Sequence, residues 1–132
     1  MERYKVTLLH LFRNTEQPLT ILADEGETSE NIVLTARMNG WTITGEDYNY
    51  LPAYPMLRDR LLELGYGVKC CGSRLNALQS GMMGANDRIY LVELGRPARQ
   101  RDIVGIFDYA DITEFPNTQQ QLAFQEAYCQ PF

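Results

Sequence analysis

The chain has 132 residues, enough for one core-bearing domain, and its 45% hydrophobic content is too high for a disordered protein. Three cysteines, two of them adjacent, make no disulfide framework, and the apolar run near the N-terminus is too short for a secretion signal or a bilayer span. The expectation is a soluble cytoplasmic protein, and a net charge of −5 argues against one that simply coats nucleic acid.

Tyr4 to Phe12 reads as a strand, with Tyr4, Val6, Leu8 and His10 on one face. Asn14 to Pro18 reads as a loop, Leu19 to Ala23 as a short strand or a helix start, and Asp24 to Glu27 as a turn. Thr28 and Ser29 are N-cap residue types for a helix running to about Asn39, with Ile32, Val33 and Ala36 on one face and Gly40 just past its end. Trp41 to Thr44 alternates as a strand does.

Glu46 to Tyr54 is a tyrosine-crowded loop, and Pro55 suits the first position of a helix carrying Leu57, Leu61 and Leu64 up to Gly65. Tyr66 to Cys71 follows as a strand. Gly72 turns it, and Ser73 can cap a short helix to about Ser80, with Met82 beyond on the core side and Gly81 and Gly84 marking its exit. Asp87 to Leu94 is a strand, Asp102 to Phe107 is ambiguous between strand and helix, and Asn117 or Thr118 caps a final helix to about Cys129. These elements predict a single α+β domain over residues 1–132. Its sheet is mixed or antiparallel, with about four to five strands and about three helices packed on it.

Charge is distributed unevenly. From Lys69 to Arg101 the basic residues are Lys69, Arg74, Arg88, Arg96, Arg99 and Arg101, against Asp87 and Glu93 alone, while Glu16 to Glu30 and the stretch after Arg101 are purely acidic. One reading is internal: the basic middle folds against the acidic flanks or against a second copy. The other is an anion-binding turn at Gly72, Ser73 and Arg74, helped by Arg96, Arg99 and Arg101, for an anionic small molecule or nucleic acid. The turn lacks both the P-loop and the dinucleotide glycine patterns.

Tyr48, Tyr50 and Tyr54 suit a protein contact, since tyrosine joins large area to a polar tip. Cys70 and Cys71 with Cys129 and His10 lack zinc-finger spacing, and His10 is the only imidazole for a Cys–His pair. Glu46 with Asp47, and Asp108 with Asp111, have no accompanying motif for metal or acid–base chemistry. No cofactor signature or metal site is read, and the chain leans away from catalysis. The function expected is that of a non-enzymatic interaction or regulatory protein working through a protein partner or its own copies, with anion binding as the alternative.

Overall fold

A computed structural model describes residues 1–25, 30–80 and 85–130. Strands β1 (Glu2–His10), β2 (Thr15–Glu25), β3 (Ile32–Met38) and β4 (Trp41–Asp47) follow one another as antiparallel hairpins. Strand β5 (Tyr66–Val68) returns to pair with β1, so the sheet order is β4-β3-β2-β1-β5. Alternation sets the inward face: Val6 and Leu8, Leu19, Ile21 and Ala23, Ile32, Leu34, Ala36 and Met38, then Ile43 are all buried.

Helix α1 (Tyr50–Glu63) lies on that face and touches β3, β4 and β5, hence both edge strands. Its buried residues include Leu51, Ala53, Tyr54, Leu57 and Leu61. Close approach is possible because Gly45 has no side chain: a Cβ there would run into the Ala53 carbonyl oxygen. A second sheet joins β6 (Ala77–Leu78), β7 (Arg88–Leu91) and β8 (Ile103–Gly105), all antiparallel. Helix α2 (Thr118–Tyr128) closes the described chain. The α+β class and the antiparallel five-stranded sheet match expectation; the helix count is lower.

Two expected helices are absent and a third starts earlier than expected. The stretch expected to be a helix to Asn39 is instead strand β3, which pairs with β4 where a strand was expected. Ile32, Leu34, Ala36 and Met38 are inward and Val33, Thr35 and Arg37 outward, a period of two. Asn39 and Gly40 take φ of 51° and 82°, the left-handed pair that closes a two-residue hairpin between Met38 and Trp41. The expected caps Thr28 and Ser29, and Gly26 and Glu27 of the turn before them, lie outside the described residues, as do Gly81, Met82 and Gly84.

Second, no helix follows Ser73. Cys71–Ser73 is a single 3-10 turn leading into β6. Third, α1 begins at Tyr50, five residues before Pro55. Asn49 Oδ1 accepts from the Tyr50 amide. Pro52 then falls in the first turn, where amides have no helical partner, whereas Pro55 sits inside the helix. The last helix starts as read: Gln120 N donates to Asn117 Oδ1 while Gln120 Oε1 accepts from Asn117 N, both at 2.9 Å.

Candidate functional site

The 3-10 turn sits at the centre of a buried polar knot. Its amides point inward: Gly72 N donates to Ile106 O, Ser73 N to Cys70 O and Arg74 N to Cys71 O. Ser73 is fully buried, and its hydroxyl lies 2.6 Å from that of Tyr54. The Cys70 thiol is 3.3 Å from the same tyrosine oxygen and 3.7 Å from Ser73 Oγ. Burial pushes both the Cys70 thiol and the Tyr54 phenol above their usual pKa ranges, which keeps both protonated. A thiol held neutral in this way is a poor nucleophile.

Arg58 of α1 is buried beside the knot, its guanidinium 5.8 Å from the centre of the Tyr54 ring. It donates to Asp59 Oδ1 at 2.8 Å, to Gln121 Oε1 at 2.9 Å and to Thr118 Oγ1 at 3.3 Å. Gln121 completes the link by donating from Nε2 to the carbonyls of Gly72 and Arg74, at 3.0 and 2.8 Å. Every arm of this network ends on the chain itself. The knot ties α2 to α1 and to the turn, and it is architecture. Neither Arg58 nor Gln121 stood out in the sequence, because a polar residue on an amphipathic helix gives no sign of burial until its partners are placed.

The residues read as anion-binding do not share one hollow. Arg74 lines an open cleft of about 710 Å³ together with Asp111, Glu114 and Phe115; Arg96, Arg99 and Arg101 are not among its walls. Arg96 turns to Glu93 at 3.5 Å and Asp102 at 3.4 Å. Arg99 and Arg101 are exposed. Arg74 lies beside Cys71, whose thiol is nevertheless raised because burial outweighs the nearby positive charge. Lys69 is held by Glu16 and Asp111, at 2.9 and 3.0 Å. Among the described residues no three His, Cys, Asp or Glu side chains converge as metal ligands would.

The tyrosines divide. Tyr54 is fully buried and Tyr50 nearly so, packed with Tyr4 and Phe107 in the core, whereas Tyr48 is exposed. What sequence reading did not find is the surface around Tyr48. A shallow apolar groove of about 300 Å³ between α1 and α2 is walled by Tyr48, Pro52, Met56 and Leu122 among others. Met56 also lines a second groove of about 430 Å³, shared with Trp41, Arg60 and Leu64 along the free edge of β4.

Beyond Leu64 the Gly65 carbonyl accepts from Leu11 N at 3.0 Å, which ties the β1–β2 hairpin tip to the end of α1. Five of the eleven large hydrophobics exposed among the described residues line two grooves that share Met56: Leu64, Trp41, Met56, Tyr48 and Leu122. Trp41 is 60% exposed and Met56 52%, so this run is open to solvent. No helix of the described chain is long and apolar enough to cross a membrane. No protein-family model matches this sequence, and no curated protein is significantly similar to it.

Proposed function

We propose that this is a non-enzymatic interaction protein that docks a protein partner on the apolar run along α1. The observation that carries the reading is the clustering: a monomeric surface scatters its exposed hydrophobics singly, and a run including tryptophan and tyrosine, with Arg60 beside it, has the composition of a binding hot spot. The polar knot supports it from the other side. The buried Cys70 thiol, Tyr54 phenol and Arg58 guanidinium are all engaged in holding elements together, which leaves them no reacting atom to serve. The alternative, anion capture at the Gly72 turn, would need backbone amides free to donate outward, and each of those three amides already has a carbonyl acceptor.

A photoreactive residue placed at position 48 tests the reading in extract of the source cell. The expected result is a recurring adduct that disappears in the double variant Trp41→Ser, Met56→Ser while the melting temperature holds, since both side chains are exposed. Trp41, the single tryptophan, supplies an independent readout, because its emission shifts to the blue when a partner covers it. An adduct pattern indifferent to the double variant would end the proposal.

A further inference from the structure

The edges of the main sheet are not alike. Beside β5 the chain returns: Ala110 N donates to Lys69 O, Cys70 bridges to Tyr109, and Gly67 lies under the Phe115 ring, where a Cβ would collide. Strand β2 runs past β3, which pairs only with Ile21–Glu25. In that overhang the backbone groups turned away from β1 belong to Glu16, Pro18 and Thr20, and Pro18 removes a donor from the middle. Proline on an exposed edge guards against unwanted strand pairing.

Strand β4 carries no such guard. It contains neither proline nor lysine, and it pairs with β3 without a bulge from Trp41 to Asp47. The two-residue hairpin makes Met38 and Trp41 the first hydrogen-bonded pair, and such pairs alternate along an antiparallel ladder. Ile43 and Gly45 therefore bond to β3, while the amides and carbonyls of Thr42, Thr44 and Glu46 point away from it. All three residues are exposed, and their backbone groups find no other partner among the described residues.

Alongside this edge runs the groove of about 430 Å³ lined by Trp41, Ile43, Met56, Arg60 and Leu64. In a strand laid on β4, the residues opposite Thr42, Thr44 and Glu46 would share their outer face, and those between would turn toward the groove. Free donors and acceptors at every second residue match an extended backbone and no helix. Glu46 accepts from the Asn31 side chain at 3.1 Å and is in no ion pair among the described residues, so a basic residue suits the place opposite it.

We propose that β4 takes an extended segment of a partner protein as a further, antiparallel strand of the sheet, with apolar residues turned into the groove and a basic residue opposite Glu46. This rests on the interaction reading above and specifies the form its partner takes. Main-chain hydrogen bonds supply the attachment in such additions, and the alternate side chains supply selectivity.

The test separates backbone from side chain. The Thr44 amide is not used by β3, so Thr44→Pro removes one edge donor and leaves the β3 ladder whole, whereas Thr44→Val keeps the amide. The probe is a capped seven-residue peptide with valine at its odd positions, lysine at the second and threonine at the fourth and sixth. Its lysine then stands opposite Glu46 and its central threonine opposite Thr44. At millimolar peptide, NMR is expected to show hydrogen exchange slowed about tenfold at Thr42, Thr44 and Glu46. The amides of Trp41, Ile43 and Gly45, already in the ladder, hold their rates. Thr44→Val keeps the effect. Thr44→Pro, with its melting temperature checked, loses it at Thr42 and Glu46. The same peptide N-methylated at its fourth residue also fails, and that arm leaves the protein unaltered.

Unchanged exchange at the three edge amides overturns the proposal, as does slowing that survives N-methylation of the peptide. A mass that doubles in light scattering and falls back in Thr44→Pro gives the edge to a second copy and overturns it too. The position-48 adduct tells the two failures apart. An adduct lost in the Trp41, Met56 variant but kept in Thr44→Pro overturns strand addition and leaves the interaction reading standing; one indifferent to the Trp41, Met56 variant ends that reading itself.

Discussion

Tyr54 is the residue on which the buried knot turns. Its hydroxyl serves both Ser73 and Cys70, and its ring carries Arg58. Tyr54→Phe keeps the volume but leaves the buried serine hydroxyl with only the longer, weaker contact to the Cys70 thiol, and a poorly satisfied buried group costs about 1–3 kcal/mol. Urea denaturation should therefore show a loss of about 1–2 kcal/mol with the fold retained; an unchanged midpoint would mean the hydroxyl pair adds nothing.

The buried Lys69, paired with exposed carboxylates, gives a pH-dependent counterpart. Its ammonium holds the Asp111 carboxyl below the usual carboxylate range, first through the hydrogen bond and then through charge. A depressed native pKa means the stabilisation is present above the unfolded value, near 4, and is lost as pH falls through the native one. Asp111→Asn should flatten the acid limb of the urea-midpoint profile and leave the slope near neutrality unchanged. In the mirror case, the same carboxylates raise the Lys69 pKa, so its contribution persists through neutral pH and is lost only as alkali passes the native value.

At the scale of elements, α2 is held differently from α1. Of its eleven residues only Gln121 is buried. Its anchors are polar: Gln121 to Arg58 and two carbonyls, Thr118 to Asp59, and Tyr128 Oη to Arg96 O at 3.0 Å. A helix fixed by hydrogen bonds in place of a buried apolar stripe should open more readily than the sheet. Gln121→Ala removes three bonds at once and should cost about 2–4 kcal/mol. Hydrogen exchange should show α2 amides accelerating while those of β1 and β2 hold. Equal acceleration throughout would mean the knot is global and not a local latch.

The same scale shows where sequence was informative. The Asn117 cap with Gln120 was readable because a capping box is local. The helix reading before Asn39 failed because Ile32, Val33 and Ala36 fit a helical face as well as a strand. The Asn39-Gly40 dipeptide between two apolar runs was the deciding signal, since both positions demand positive φ. Helix α1 starts earlier than Pro55 suggests because Asn49 caps it and Gly45 lets it seat on β4, a contact between segments that no local pattern contains.

At the scale of the molecule, charge segregation along the chain partly dissolves on folding. Lys69 reaches back to Glu16, Arg96 meets Glu93 and Asp102, and Arg58 is neutralised by Asp59. Among the described residues Arg74, Arg99 and Arg101 stay outside any ion pair, and the apolar run lies apart from them along α1. That run belongs to no stretch of sequence, because Trp41, Met56 and Leu122 come from three different elements.

The chain by itself determined its class, the inward face of β1, the secure apolar stripe of α1 and the start of α2, all consequences of short-range periodicity and capping. Only the tertiary structure decided that Ser73 and Tyr54 face each other in the interior and that Arg74 parts from the other arginines. It alone assembled the exposed hydrophobics into one face, since burial and adjacency between distant segments depend on how the sheet curls around its helix.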